Sequence, residues 1–237
     1  RIVPAEQFVT VVAEQRRRPL VEEGEAAGLV ERVDDGRRAV DQVAGESLGR
    51  FELGRDALAC ADAAGFERFH FVGLSIGGMT GMWLAQNARQ RLDRMVLSNT
   101  TSRVIPGAYD ERIRLVLTEG MASVADLVIG RFFTPGYAAR RTVHYSTVRS
   151  TLLSIDPRGY AGCCAAIVGM TIADGLASIS TPTLVISGTH DPATPAERGR
   201  EIAQAIPGAR YLELPTAHFG HSERPVRWLG ATVDFLN

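Results

Sequence analysis

The spacing of apolar residues changes character near residue 48. Ahead of it charged residues dominate, and Leu29, Val33, Val40 and Val43 keep only a weak helical spacing, with Pro19 barring any long helix. Phe8 is the single aromatic residue there, and no strand is expected in 1–47. Leu53, Ala57, Leu58 and Cys60 then follow a helical spacing, with Gly65 near its end. Phe69, His70, Phe71 and Val72 form a short apolar run, expected to be a buried strand. Met79, Met82, Trp83 and Leu84 predict a helix running to about Gln90, and residues 94–100, "RMVLSNT", predict the next strand. From about 103 to 170 strand signals fade into helical stretches such as "AYDERIRLVLTEG" and "MASVADLVIGRFF". Residues 183–187 resume the strands behind Pro182, "PAERGREIAQAIPG" predicts a helix, and "ARYLELP" a last strand. Val226, Leu229, Val233 and Leu236 keep helical spacing to the end.

This alternation predicts a mostly parallel sheet with helices on both faces and a helical cap inserted over one edge. It divides the chain into an atypical segment 1–47, a first core part 48–102, the cap 103–170 and a second core part 171–237.

One serine stands between two glycines where the first strand meets its helix, in "FHFVGLSIGGMTGMW". A strand that turns directly into a helix leaves no room for side chains two positions before and after the turning residue. Gly73 and Gly77 remove them, while Gly78 and Gly81 let the helix lie close to the strand. The turn would hold Ser75 in a strained conformation with its hydroxyl exposed, which is the G-x-S-x-G nucleophile elbow. An activated serine needs a base, and the base an orienting carboxylate. Asp191 follows the strand in "TLVISGTH", and His218 follows "RYLELPTA". The order serine, acid, histidine, each past a strand end, is that of the α/β-hydrolases. His221, three residues beyond His218, is the rival base. Ile76, directly after the serine, offers an oxyanion N–H.

At 237 residues and 45% hydrophobic, the chain suits one domain with a sizeable core. A net charge of -1 gives no reason to expect nucleic acid or an anionic membrane as partner. No apolar run approaches membrane-spanning length, and the opening "RIVPAEQ" carries no signal-peptide core, so a cytoplasmic location is expected. Cys60, Cys163 and Cys164 lack metal-site spacing and are expected to be small buried hydrophobes. Nothing in the sequence bears on oligomeric state.

From about residue 48 to 237 the chain resembles the 3-oxoadipate enol-lactonases, α/β-hydrolases of bacterial aromatic catabolism. The stretches that carry the resemblance are "FHFVGLSIGGMTGMWLA", "RMVLSNT", "RFFTP", "GYAGCCAAI" and "GTHDPATP". It implies Ser75 as nucleophile, Asp191 as acid and His218 as base, and a small-molecule substrate, an enol-lactone with a carboxymethyl arm that is hydrolysed to 3-oxoadipate. It implies no metal and no organic cofactor. An anionic arm calls for a cationic cap residue, and Arg131 in "RFFTP" is the candidate; Trp83 is a second expected substrate contact. A related carboxylesterase or cofactor-free haloperoxidase-like hydrolase shares the same triad. The chain departs from the family at its front, where strands ahead of the elbow and a glycine-containing loop with the second oxyanion N–H are expected. Neither is read in 1–47, which predicts an unpaired sheet edge beside the elbow strand and weak activity, or a catalytically impaired remnant.

Overall fold

The computed structural model describes the backbone of residues 9–12 and residues 52–237 apart from 106 and 171. Within them lies a five-stranded sheet in the order β1 (Val9–Val12), β2 (Phe69–Leu74), β3 (Leu92–Ser98), β4 (Thr183–Gly188) and β5 (Arg210–Leu214). β2 to β5 run parallel, in register from Leu74 through Ser98 to Ile186, and Gly188 lies opposite Leu214. β1 runs antiparallel to β2, with Val9 opposite Gly73 and Val12 opposite His70. The expectation of no strand in 1–47, and of an unpaired edge beside β2, is therefore corrected. "VTVV" is four β-branched residues in a row, a composition that favours extended backbone. It is too short and too uniform to show the alternation that marks a half-buried strand.

Helix α1 (Glu52–Ala63) precedes β2, and α2 (Ile76–Asn87) joins β2 to β3. The long connection from β3 to β4 holds α3 (Asp110–Glu119), α4 (Ala122–Phe132), α5 (Val143–Leu153) and α6 (Pro157–Gly169), with a one-turn helix at Pro135–Ala138. Helix α7 (Ala196–Ala205) joins β4 to β5, and α8 (Pro225–Leu236) ends the chain after a one-turn helix at Gly220–Glu223.

The period of two along each strand sorts the core onto the two sheet faces. Phe69, Phe71, Met95, Leu97 and Val185 point to the face covered by α1, α2 and α7. Val72, Val96, Leu184, Ile186 and Leu214 point to the face covered by Phe235 and Leu236 of α8. Each fully buried Phe, Leu or Met contributes roughly 1.5–3 kcal/mol of transfer free energy. The cap helices form a third cluster, around Val124, Phe132, Leu152 and Tyr160, which reaches Leu74 at the end of β2 and Phe219 after β5. The cap therefore rests on the carboxyl edge of the sheet.

Burial departs from residue type in α8, and one expectation, that of a buried Cys60, changes. In α8, Val226, Leu229 and Val233 are exposed, while Thr232, Phe235 and Leu236 are buried. Trp228 fixes this rotation, because its indole N–H donates to Ser98 Oγ at 3.0 Å. Cys163 and Cys164 are buried thiols, but Cys60 is exposed. Helix α1 buries the stripe Gly54, Ala57 and Ala61, and Cys60 falls outside it.

Candidate active site

Ser75 sits between the end of β2 and the start of α2 with φ 56° and ψ −119°. A non-glycine residue in that region costs on the order of 1–3 kcal/mol, so its surroundings must hold it there. They do so at three points. The Ser75 N–H donates to Ser98 O at 3.0 Å, the Thr100 hydroxyl donates to Ser75 O at 2.6 Å, and the Gly78 N–H donates to Ser75 O at 2.9 Å. A Cβ on Gly73 would collide with the carbonyl of Gly77, and one on Gly81 would crowd Phe71. The glycines thus let the helix turn back onto the strand it leaves. Ile76 is the first residue of α2. Its N–H belongs to the first helical turn, where amides have no partner within the helix and point outward.

Asp191 lies just past β4 and is buried. Both carboxylate oxygens are saturated. Oδ1 accepts from the N–H groups of Ala193 at 2.8 Å and Thr194 at 3.0 Å, the turn expected of "DPAT". Oδ2 accepts from Asn99 Nδ2 at 2.9 Å and from the Thr194 hydroxyl at 2.7 Å, and His218 Nδ1 lies 2.8 Å away. Burial pushes the Asp191 carboxyl up, but the neighbouring His218 and the hydrogen bonds from His218, Thr194 and Asn99 outweigh it and hold the group down to about 2. His218 follows β5 and is buried. The ring of Phe132 from α4 stacks on it with centroids 6.0 Å apart.

The strand register puts the residues that follow these strands on one edge. Ser75, Asn99, Asp191 and His218 come after the carboxyl ends of β2, β3, β4 and β5. His218, and not His221, is the imidazole bonded to Asp191. His221 packs against Phe219 at 5.2 Å and Trp228 at 5.9 Å. Burial first, then the nearby His144 and His218, pull its basicity down to about 4, so it is neutral at physiological pH.

Trp83, the second expected substrate contact, lies further along α2. It is two helical turns past Ser75, about 12 Å along the axis. Its ring packs on α1 over Gly54, where a Cβ would not fit. Arg131 lies in the last turn of α4 beside Phe132, is half-buried, and makes no ion pair among the described residues. The other half-buried cap arginines are engaged: Arg112 lies over the Tyr109 ring at 4.8 Å, and Arg149 pairs with Asp126 at 3.1 Å.

Three contributors escape a reading of the sequence. Asn99 and Thr194 both bond Asp191. Glu223 ties cap to core by accepting from the N–H and hydroxyl of Thr134, each at 2.7 Å, and from Ala217 N–H at 3.3 Å. Thr194 carried a legible signal, since an Asp three residues ahead of a Thr marks a side-chain-closed turn. Asn99 and Glu223 act across long separations that no local pattern encodes. The glycine-containing loop with a second oxyanion N–H, which the family places ahead of residue 48 and which is not read in 1–47, is a question for a segment outside the described residues. Among the described residues no group of three or more His, Cys, Asp or Glu side chains could hold a metal ion, and no helix is long and apolar enough to cross a membrane.

A strained serine, a hydrogen-bonded carboxylate–imidazole pair and a helix-start amide at one sheet edge are the parts of a nucleophilic acyl-transfer site. Comparison with known proteins points the same way. A family model described as alpha/beta hydrolase fold matches residues 47–225. The chain is 30% identical to 3-oxoadipate enol-lactonase 2 of Acinetobacter baylyi over 175 residues, 73% of this chain and 66% of that protein. The match thus spans just under two thirds of that relative's length. Among solved structures, the enol-lactonase from Burkholderia xenovorans LB400 is similar with a TM-score of 0.77 and 40% identity, covering 79% of this chain and 72% of that one. A hydrolase from Pseudomonas aeruginosa PA01 is similar with a TM-score of 0.76 and 41% identity, covering 78% and 71%.

Proposed function

The chain belongs to the alpha/beta hydrolase fold family, and from that premise we propose that it is a serine hydrolase acting on 3-oxoadipate enol-lactone. The observation that carries the reading is the Asp191–His218 pair, 2.8 Å apart, at the sheet edge where Ser75 is held at φ 56°. Similarity to proteins named enol-lactonases supplies the substrate class.

In this reading Ser75 is the nucleophile. Neutral His218 takes its proton at Nε2 as the serine oxygen attacks the lactone carbonyl. Asp191 accepts a hydrogen bond from His218 Nδ1–H, fixing the tautomer that leaves Nε2 free as a base. Its own basicity, held down to about 2, keeps it from taking the proton outright. The Ile76 N–H faces the oxyanion, and loss of one such donor costs about 3 kcal/mol of transition-state stabilisation. Collapse of the intermediate breaks the ring C–O bond. The enolate oxygen leaves, receives the proton from His218, and the enol becomes the ketone. Water, deprotonated by His218, then releases the acyl group from Ser75 and restores the enzyme. The carboxymethyl arm of the substrate meets Arg131, the half-buried cap guanidinium that makes no ion pair among the described residues. The pathway role would be a step of aromatic-compound breakdown in the cytoplasm.

The test is covalent capture. A serine-directed fluorophosphonate should add one label, found by peptide mass mapping on Ser75, and Ser75→Ala should take none. A label on any other serine overturns the assignment.

A further inference from the structure

Asn99 combines four features that the reaction scheme leaves unused. It follows β3, between the strands that carry Ser75 and Asp191. It is 1% exposed. Its backbone has φ 46°, a left-handed conformation uncommon outside glycine but tolerated by asparagine. Its N–H donates to Ile186 O at 2.8 Å, which pins that conformation to β4.

The side chain is satisfied on every side. Trp228 Nε1 donates to Ser98 Oγ at 3.0 Å, and the Ser98 hydroxyl donates to Asn99 Oδ1 at 2.9 Å. This relay fixes which end of the amide is oxygen. The Nδ2 group must then face the other way, where it donates to Asp191 Oδ2 at 2.9 Å and to Ala217 O at 3.2 Å. The reversed amide would set its oxygen against a carboxylate and a carbonyl. Ala217 immediately precedes His218. One amide therefore spans the loop that carries the acid and the loop that carries the base.

We propose that Asn99 is a positioning residue, whose amide ties the Asp191 carboxylate to the backbone of the His218 loop so that acid and base keep one geometry. The proposal rests on the hydrolase reading above. Two consequences follow from the bonding. Asn99 shares Asp191 Oδ2 with His218, so it draws off part of the charge that would otherwise stabilise the imidazolium. Removing its donor leaves more of that charge to His218, and the imidazole becomes harder to deprotonate. The base also loses a tether on the residue before it, so its alignment with Ser75 loosens.

The titratable groups around this pair are His221 beside Phe219 and His144 of α5, whose Nε2 lies 2.8 Å from Ser222 Oγ. Glu223 bonds to Thr134 and Ala217. Glu223 and Asn99 hold the same residue, Ala217, one through its N–H and the other through its carbonyl.

The experiment uses two substitutions. Asn99→Gly keeps the left-handed backbone at no steric cost and deletes the bridge. Asn99→Asp keeps the shape and the acceptor for Ser98, but places a second carboxylate against Asp191. The pKa of His218 is read by heteronuclear NMR of the imidazole, without substrate, and kcat and KM are measured on an aryl ester from pH 5 to 9. Both variants are expected to raise the His218 pKa, Asn99→Asp more than Asn99→Gly, with the acid limb of kcat/KM moving by the same amount. At the pH optimum kcat should fall toward the ~100-fold that a 1 Å misplacement costs, with KM within about twofold of wild type. An unchanged His218 pKa and unchanged kcat in either folded variant overturns the proposal. Loss of the folded state in both also overturns it, because Asn99 would then serve the fold rather than the site. Asp191→Asn, measured alongside, separates the two readings: if it too is fully active, the hydrolase scheme fails and not merely the role of Asn99.

Discussion

Replacing Asp191 with Asn tests the orienting carboxylate by the smallest change of shape. The amide oxygen can still accept from Ala193 and Thr194 N–H, as Oδ1 does now. The amide nitrogen then faces Asn99 Nδ2, Thr194 Oγ1 and His218 Nδ1, three groups that crowd Oδ2 within 2.9 Å. The hydroxyl can rotate to accept. His218 can relieve the clash only by presenting a bare Nδ1, which moves its proton to Nε2, the atom that must receive the proton from Ser75. An imidazole in the wrong tautomer is a base lost, and the expected fall in kcat is about 10⁴-fold, or roughly 5 kcal/mol. Stability falls as well. The carboxyl drops from 3.8 to about 2 on folding, which corresponds to about 2 kcal/mol at neutral pH. The sign follows from the direction of the shift: a depressed acid stabilises the fold above the unfolded value near 4, and that contribution is lost as the pH falls toward 2. Burst kinetics on an aryl ester and urea unfolding at pH 7 and pH 3 measure both effects. A variant within tenfold of wild-type kcat, with normal labelling of Ser75, would refute Asp191 as the orienter.

The remaining predictions are narrower. Exchanging Arg131 for Gln should raise KM for an enol-lactone with a carboxylate arm by about 10-fold or more, the worth of a charge-assisted hydrogen bond, and leave a neutral aryl ester unaffected; equal effects on both substrates would remove Arg131 from anion recognition. His218→Ala should abolish ester turnover while His221→Gln retains most of it, and the reverse result would move the base to His221. Because burial holds His221 near 4 against an ordinary 6.5, the wild-type protein should lose about 3 kcal/mol as the pH falls from about 6.5 to about 4, a loss that His221→Gln should largely remove when unfolding is followed by denaturant titration.

Much of the molecule could be read from the chain because its chemistry is local. The elbow needs glycine at 73 and 81 for reasons of contact alone, and those contacts are present in the fold. Asp191 and His218 could be nominated because each directly follows an apolar strand, and the register brings those strand ends to one edge. What escaped depends on partners far along the chain. Asn99 and Asp191 are 92 residues apart, and Asn99 and Ala217 are 118 apart. Hydrophobicity alone does not set the buried side of α8: Val226, Leu229 and Val233 are exposed, and the indole bond from Trp228 to Ser98 sets the rotation. Trp83 packs on Gly54 of α1 from two turns down α2, a contact between elements that its residue type does not encode. β1 leaves no periodic signal in the sequence, because four β-branched residues in a row show no alternation.

The central claim is that Ser75, Asp191 and His218 form one hydrolytic site for an enol-lactone. The most direct measurement follows consumption of 3-oxoadipate enol-lactone by its ultraviolet absorbance, with wild type, Ser75→Ala and a simple aryl ester run in parallel. Wild type is expected to open the lactone with a kcat/KM well above that for the aryl ester, and Ser75→Ala to fall to the uncatalysed rate with both. Lactone turnover that survives in Ser75→Ala, or an aryl ester strongly preferred over the lactone, would contradict it.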